Sequence, residues 1–323
     1  MIAEPKHIII GGGSGFVGSG LTELLRARGD RVTWISRRAG TNCISWDELD
    51  REGLPDCDAV VNLAGEHILN PRRRWNDAYR DEVIQSRVKT TETLVRAINE
   101  SENPPEVFVS SAGKCFYGTQ EMGTVTDYPE LDETSEPMGV DFPAELVSVW
   151  EAAAEGIDSD RIRHVRVRIG VVLGAVHRES FAGRLWRIGT ARGFLPIIRL
   201  PFCLGLGPVI GSGNQPFPWI HVDDMSAILS FVIDRRELAG TFNAVSPGIV
   251  THEVFVRAFA RHLHRPITWR APAWLIKAIV GPERSSILLE GQNVKPTRTL
   301  EAGYRFKFAT IDCALDDLVK ITI

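Results

Sequence analysis

Eleven residues near the amino end limit the architecture more than anything else in the chain. Ile8-Ile9-Ile10 runs directly into Gly11-Gly12-Gly13-Ser14-Gly15-Phe16-Val17-Gly18. The spacing Gly12-x-x-Gly15-x-x-Gly18 therefore stands between an apolar, β-branched run and a helix-forming stretch. Glycine at the turn permits a positive φ. Glycine at the second position lets the backbone approach a pyrophosphate, and at the third it lets the helix pack close to a sheet. The helix amino end then offers unpaired N–H groups and the positive end of its dipole to phosphate oxygens. A glycine triad alone also fits a plain strand-to-helix turn. Its place after the first strand, with a helix and a second strand following, points to dinucleotide binding.

The rest of the first half keeps the same rhythm. Strands are predicted at Lys6–Ile10, Arg31–Ile35, Cys57–Leu63, Glu106–Ser110 and Arg163–Arg168. Helices are predicted at Phe16–Arg28, closed by Gly29, and at Trp75–Asn99 and Ala144–Ala154. Alternation of this kind implies a parallel sheet with helices on both faces. After residue 175 the pattern changes. Leu195–Gly213, rich in Pro and Gly, reads as loops around short strands. Val222–Ile233, Thr251–Leu263 and a segment beginning at Trp274–Ile279 read as helices, Gly240–Ala244 as a strand, and Leu300–Lys320 as a Gly-Tyr turn with a last helix. The expected fold class is α/β: a Rossmann-type doubly wound parallel sheet over 1–175, with 220–245 returning to it. A smaller α+β lobe would come from 176–219 and 246–323, and the cleft between lobes would receive a small molecule.

Composition removes several alternatives. Among 323 residues, 37 Lys and Arg against 41 Asp and Glu leave a net charge of −4, which gives no global field for nucleic acid. No apolar run approaches the roughly 18 residues needed to span a bilayer, and no membrane partner is expected. MIAEPKHIII enters a strand without a cationic leader, so a cytoplasmic location is expected and an organellar one stays open. Cys43, Cys57, Cys115, Cys203 and Cys313 are odd in number and widely spaced, as reduced thiols are. His262 and His264 have no clustered ligands near them in sequence, and no metal is expected. The second strand ends in Ser36-Arg37-Arg38 where an NAD site usually places an acid. Paired guanidiniums suit a 2′-phosphate, so NADP(H) is preferred over NAD(H), with a solvated basic turn as the plain alternative.

Longer phrases carry a resemblance. Asn62-Leu63-Ala64-Gly65-Glu66, Arg74-Trp75, Ser86-Arg87-Val88 with Thr90, Trp150-Glu151-Ala152-Ala153 and Arg168-x-Gly170-Val171-Val172-Leu173-Gly174 form one set. Gly211-Ser212-Gly213-x-Gln215, Trp219-Ile220-His221-Val222-Asp223-Asp224 and Leu289-Glu290-Gly291-Gln292-x-Val294-x-Pro296 continue it. Together they resemble the atypical epimerase-family short-chain dehydrogenases/reductases of the 39U group, which carry a small C-terminal domain of their own. The resemblance runs along nearly the whole chain. It implies that Gly12, Gly15, Phe16, Val17 and Gly18 line the pyrophosphate turn and that Ser36, Arg37 and Arg38 hold the 2′-phosphate. It implies that Leu63 and Ala64 lie along the adenosine half, and that Glu82, Arg87 and Val172 reach the cofactor. Glu82 and Arg87 also fit a helix-surface pair, and Leu63, Ala64 and Val172 a plain core. Many extended members dimerise through helices of the first lobe, so a homodimer is an open expectation.

The chain departs from the wider superfamily where the chemistry should be. Hydride-transferring members use a Ser/Thr, a Tyr that gives or takes a proton, and a Lys four residues on that lowers its pKa. Aligned on Glu151, the Tyr position holds Pro143 and the Lys position Val147; the strand-end serine position holds Ala112. Ser111 and Tyr117 are the substitute catalytic candidates, with Lys114 nearby. His221 and Asp223 read mainly as an anchor for the second lobe. Ala175–Gly193, longer and more basic than the family's usual stretch, carries Trp186, which fits either a substrate pocket or a local helix. The expected function is an NADP-dependent oxidoreductase or epimerase-like enzyme on a small carbonyl or alcohol, sugar-derived ones included. The alternative is a non-catalytic NADP(H)-binding regulatory or scaffold protein.

Overall fold

A computed structural model describes residues 4–66, 68, 73, 75–119, 122, 124–138, 141–174 and 193–320. The expectations for Trp186 and the stretch 175–192 lie outside the described residues. Five consecutive strands begin the main sheet: β1 His7–Gly11, β2 Arg31–Ser36, β3 Cys43–Ser45, β4 Ala59–Asn62 and β5 Val107–Gly113. Strands Arg163–Ile169 and Gly240–Ala244 complete it, in the order Gly240–Ala244, Arg163–Ile169, β5, β4, β1, β2, β3. Ile8 pairs with Val32 on one side and Ala59 on the other, Ala59 with Val107, and Ile35 with Ile44, all in parallel.

Helices α1 Phe16–Ala27, α2 Trp46–Glu52, α3 Asp77–Asn99 and α4 Phe142–Ala152 connect these strands. Ile8, Ile9 and Ile10 are all fully buried, which requires cover on both faces of β1. On one face Ile9, Ile35, Val60 and Phe108 pack with Leu49 of α2 and Leu94 and Ile98 of α3. The sequence pattern did not reveal β3 or α2. Ser45 sets the start of α2: its hydroxyl accepts from the Glu48 N–H at 3.1 Å, and the Glu48 carboxylate accepts from the Ser45 N–H at 2.7 Å.

The chain forms two compact units. The first is Met1–Phe116, Glu145–Arg168 and Met225–Phe242; the second is Tyr117–Ala144, Ile169–Asp224 and Asn243–Ile323. Relative to the expected lobes, Tyr117–Ala144 and the stretch from Ile169 belong with the second unit. One stretch also differs locally: Phe194–Cys203, expected as loop, is a helix. Pro196 lies in its first turn, where the missing N–H has no partner to lose, and Leu195 and Phe202 face inward. The second unit has its own aromatic core, with Phe217 stacked on Phe255 at 4.4 Å and Phe202 tilted against Phe259 at 5.0 Å.

The Trp219–Asp224 phrase anchors the C-terminal segment within this unit. The Trp219 indole donates to the Gly248 carbonyl at 3.0 Å, and the His221 ring stacks on Phe308 at 3.7 Å. His221 Nδ1 accepts from the Asp223 N–H, which leaves the Nε2 proton facing Asp317 at 3.4 Å. The Asp224 carboxylate accepts from the Tyr304 hydroxyl and from the Lys307 and Phe308 N–H groups. Among the described residues, no helix is long and apolar enough to cross a membrane, and no cluster of His, Cys, Asp or Glu could hold a metal. The five cysteines are free thiols.

Candidate dinucleotide-binding site

The glycine turn is built by exclusion of side chains. Gly12 has φ +75°, and a Cβ there would lie 2.7 Å from the Leu63 carbonyl oxygen and 2.9 Å from the Ala64 nitrogen. A Cβ on Gly13 would sit 2.1 Å from the Trp34 ring, and one on Gly18 2.5 Å from the Gly12 oxygen. The Gly15 N–H donates to the Gly12 carbonyl at 2.8 Å, closing the turn. Helix α1 then begins with Gly15 as its N-cap residue and no side-chain cap. The N–H groups of its first turn are thus left to a ligand or to water.

Trp34 supports this turn from β2. Its indole N–H donates to Thr22 on α1 at 2.9 Å, and the Thr22 hydroxyl donates to the Gly18 carbonyl at 2.7 Å. Beyond Trp34 the chain leaves β2 through Ser36-Arg37-Arg38. The Ser36 hydroxyl donates to the Arg38 carbonyl at 2.7 Å, and Gly40 and Cys43 exchange both backbone hydrogen bonds. The backbone is therefore held while Arg37 and Arg38 are exposed, and neither guanidinium has an ion pair among the described residues.

The segment after β4 forms the facing wall. Asn62 is fully buried and organises it: its side-chain oxygen accepts from the Ala64 N–H, and its amide donates to Thr91 at 2.9 Å. Leu63 donates its N–H to the Gly11 carbonyl. Arg87 reaches up from α3 and donates to the Glu66 carbonyl at 2.9 Å and the Val83 carbonyl at 3.1 Å. Its guanidinium also faces Trp150 at 5.1 Å. Burial pulls the Arg87 pKa down to about 10 despite the nearby Glu66 charge. Glu82 lies one turn earlier, exposed and paired with Arg73 at 2.7 Å.

Gly12, Gly15, Phe16, Val17, Gly18, Ser36, Arg37, Arg38, Leu63, Ala64, Glu82, Arg87 and Ser111 all lie in the first unit. Tyr117 and Val172 belong to the second unit. Ser111 is buried and donates to the Asn62 carbonyl at 2.6 Å. Tyr117 is fully buried and donates to Asn243 Oδ1 at 2.9 Å. Asn243 in turn donates its side-chain amide to the Lys295 carbonyl and its N–H to Glu133, whose carboxylate also accepts from the Arg298 N–H. Burial pushes the Glu133 pKa up against those two hydrogen bonds. Val172 pairs with Ile220 between two short parallel strands.

Pro143 and Val147 are both buried in α4, and a Cβ on Gly113 would lie 3.2 Å from Val147. The usual Tyr and Lys positions are therefore filled by packing. Sequence reasoning passed over Asn62, Trp34, Glu133 and Asn243 as functional supports. A polar residue ending an otherwise apolar strand was the available signal for Asn62.

A tight glycine turn on β1, a helix end without a side-chain cap and exposed cations after β2 define a Rossmann-type dinucleotide-binding protein. Residues 8–245 match the NAD dependent epimerase/dehydratase family, and residues 271–318 match a domain of unknown function. The epimerase family protein SDR39U1 of Bos taurus is 45% identical over 97% of this chain and 99% of its own. The crystal structure of human SDR39U1 with NADPH is 42% identical, with a TM-score of 0.87 over 97% of this chain and 99% of that one. A nucleoside-diphosphate sugar epimerase from Corynebacterium glutamicum is 25% identical, with a TM-score of 0.72 over 98% of this chain and 58% of its own. This chain belongs to the NAD dependent epimerase/dehydratase family, among the epimerase family proteins of the 39U group.

Proposed function

We infer that this chain binds NADP(H) and acts as an oxidoreductase or epimerase-like enzyme on a small carbonyl or alcohol. The observation that carries the cofactor reading is the pair of exposed guanidiniums of Arg37 and Arg38, without an ion pair among the described residues, on the loop that leaves β2 beside a turn only glycine can form. The human relative solved with NADPH supports it. When bound, NADP(H) supplies a hydride donor or acceptor at its nicotinamide. The α1 N–H groups from Phe16 to Gly18 would hold the pyrophosphate, and Ser36, Arg37 and Arg38 the 2′-phosphate. Leu63 and Ala64 would line the adenosine half, with Glu82, Arg87 and Val172 at the remaining family positions. Ser111 or Tyr117 would move the proton, each giving up its present hydrogen bond to do so. Free thiols throughout support a reducing compartment such as the cytoplasm.

Titration with NADPH and NADH, followed by nicotinamide fluorescence, tests the cofactor reading. Tight NADPH binding, weak NADH binding and a roughly tenfold to hundredfold loss of NADPH affinity in Arg37→Ala are expected. Binding of neither cofactor would leave the glycine turn a packing device. A second reading, a non-catalytic NADP(H)-binding regulator, is favoured by the burial of Pro143 and Val147 and the engaged hydroxyls of Ser111 and Tyr117. A panel of carbonyl substrates separates the two, because an enzyme consumes NADPH with some member and a regulator binds it without consuming it. Tyr117→Phe should abolish turnover at unchanged NADPH affinity if that hydroxyl moves the proton.

A further inference from the structure

Exposed apolar area on this chain is not spread evenly. Ile197, Leu204, Leu206, Trp274 and Ile279 are 57–70% exposed and Trp269 42%, all within two short stretches of the second unit. The structure brings those stretches side by side. Val209–Ile210 pairs in parallel with Arg270–Ala271, the Trp269 indole donates to the Leu206 carbonyl at 3.0 Å, and the Val209 N–H donates to the Trp269 carbonyl. Helix Phe194–Cys203 leads into this ribbon and helix Ala273–Val280 leads out of it. The second helix buries Ile276 while Trp274, Lys277 and Ile279 stay exposed.

The same stretches hold no acids of their own. Residues 194–222 and 254–282 contain no Asp or Glu, in a chain where acids make up about one residue in eight. They contain six Lys and Arg. Arg257 and Arg270 pair with Glu253, and Arg261 with Asp312. Arg265 and Lys277 are exposed with no ion pair among the described residues.

We propose that this ribbon and its two helices dock the protein onto an anionic lipid bilayer. Aliphatic side chains enter the interfacial region, tryptophans sit at headgroup level, and the cations meet lipid phosphates and carboxylates. The proposal departs from the expectation that no membrane takes part, and it is independent of the nicotinamide reading. A second copy fits the surface less well, because an isologous contact sets these acid-free stretches against their own copy, and neither supplies carboxylates for the other's cations. Nucleic acid gives Ile197, Leu204 and Ile279 nothing to stack on.

Co-sedimentation of the full chain with vesicles tests it. Binding is expected to phosphatidylcholine vesicles containing about 30% phosphatidylserine and to fall as salt rises, with little binding to phosphatidylcholine alone. Trp274→Ser with Ile279→Ser should lower the partition coefficient about tenfold or more, and Lys277→Glu should weaken binding to anionic vesicles selectively. Leu24→Ser, an exposed apolar site elsewhere, should change nothing. Absence of binding to anionic vesicles overturns the proposal, as does equal binding to neutral ones or an equal loss with Leu24→Ser. A dimer in solution that the Trp274/Ile279 pair disrupts assigns the surface to a second copy instead and overturns it as well.

Discussion

The Arg87 guanidinium lies against Gly65 so closely that a Cβ on Gly65 would meet Arg87 Cζ at 3.0 Å. In the same pose it donates to the Glu66 carbonyl at 2.9 Å. A charged side chain of α3 thereby holds the Leu63–Glu66 backbone against the back of the glycine turn. Arg87→Lys keeps a cation but loses the planar fork and its contact with Trp150. It should cost about 1–3 kcal/mol in urea unfolding and weaken NADPH binding. Unchanged stability would show that the loop needs no such support.

Gly12 and Gly29 separate two costs that are usually confounded. Both have positive φ, at +75° and +99°. A Cβ on Gly12 would lie 2.7 Å from backbone, whereas one on Gly29 would meet nothing within 4 Å. Gly29→Ala should cost about 1–2 kcal/mol from backbone strain alone and leave NADPH affinity intact. Gly12→Ala carries the same strain plus a clash that moves Leu63 and Ala64, and should abolish NADPH binding. Fluorescence titration of the two variants side by side checks the difference.

The elements a sequence reveals best are those set by local chemistry. The glycine turn, α1, α3 and the central strands were legible because glycine, hydrophobic period and strand length agree there. Helix α2 was not, since its seven residues WDELDRE have little apolar period and depend on the Ser45–Glu48 capping box. Helix Phe194–Cys203 was hidden by two prolines: Pro196 falls in the first turn, where it costs no hydrogen bond, and Pro201 sits inside the helix, where it does. At the site, Arg37 and Arg38 could be read as free cations because no acid stands beside them in sequence. The hydrogen bond from Tyr117 to Asn243 spans 126 residues, so no local pattern could assign that hydroxyl its partner.

Glu151 and Arg168 give a physical reason for two of the phrases that marked the family. The Arg168 guanidinium donates to both oxygens of Glu151, at 2.8 and 2.9 Å, and lies over the Phe116 ring at 3.3 Å. Both residues are buried, at 7% and 4% exposure. Arg166 also lies 3.5 Å from Glu151, so removing Glu151 leaves the buried Arg168 guanidinium uncompensated in a region of low dielectric. Glu151→Ala should therefore cost about 3–5 kcal/mol, with only part of that cost in Glu151→Gln, which still accepts a hydrogen bond. A urea midpoint unchanged in both variants would mean that water relieves the stranded guanidinium.

His252 predicts how the second unit responds to acid. Its ring lies edge-on to Phe217, and Nδ1 is buried with no hydrogen-bond partner among the described residues. Burial lowers its pKa from 6.5 to about 4, with Arg270 adding to the effect and Glu253 opposing it. Between those two values the unfolded chain binds a proton that the folded chain refuses, so stability rises with pH there. The contribution is complete above pH 6.5 and is lost as the pH falls to about 4, where it amounts to about 3 kcal/mol. His164, also lowered to about 4 by burial, adds a loss of the same sign in the first unit. Unfolding free energies measured across this range should fall steeply toward acid. His252→Phe should remove about one proton's worth of that slope, and an unchanged slope would mean that the His252 ring is wetted in the folded protein.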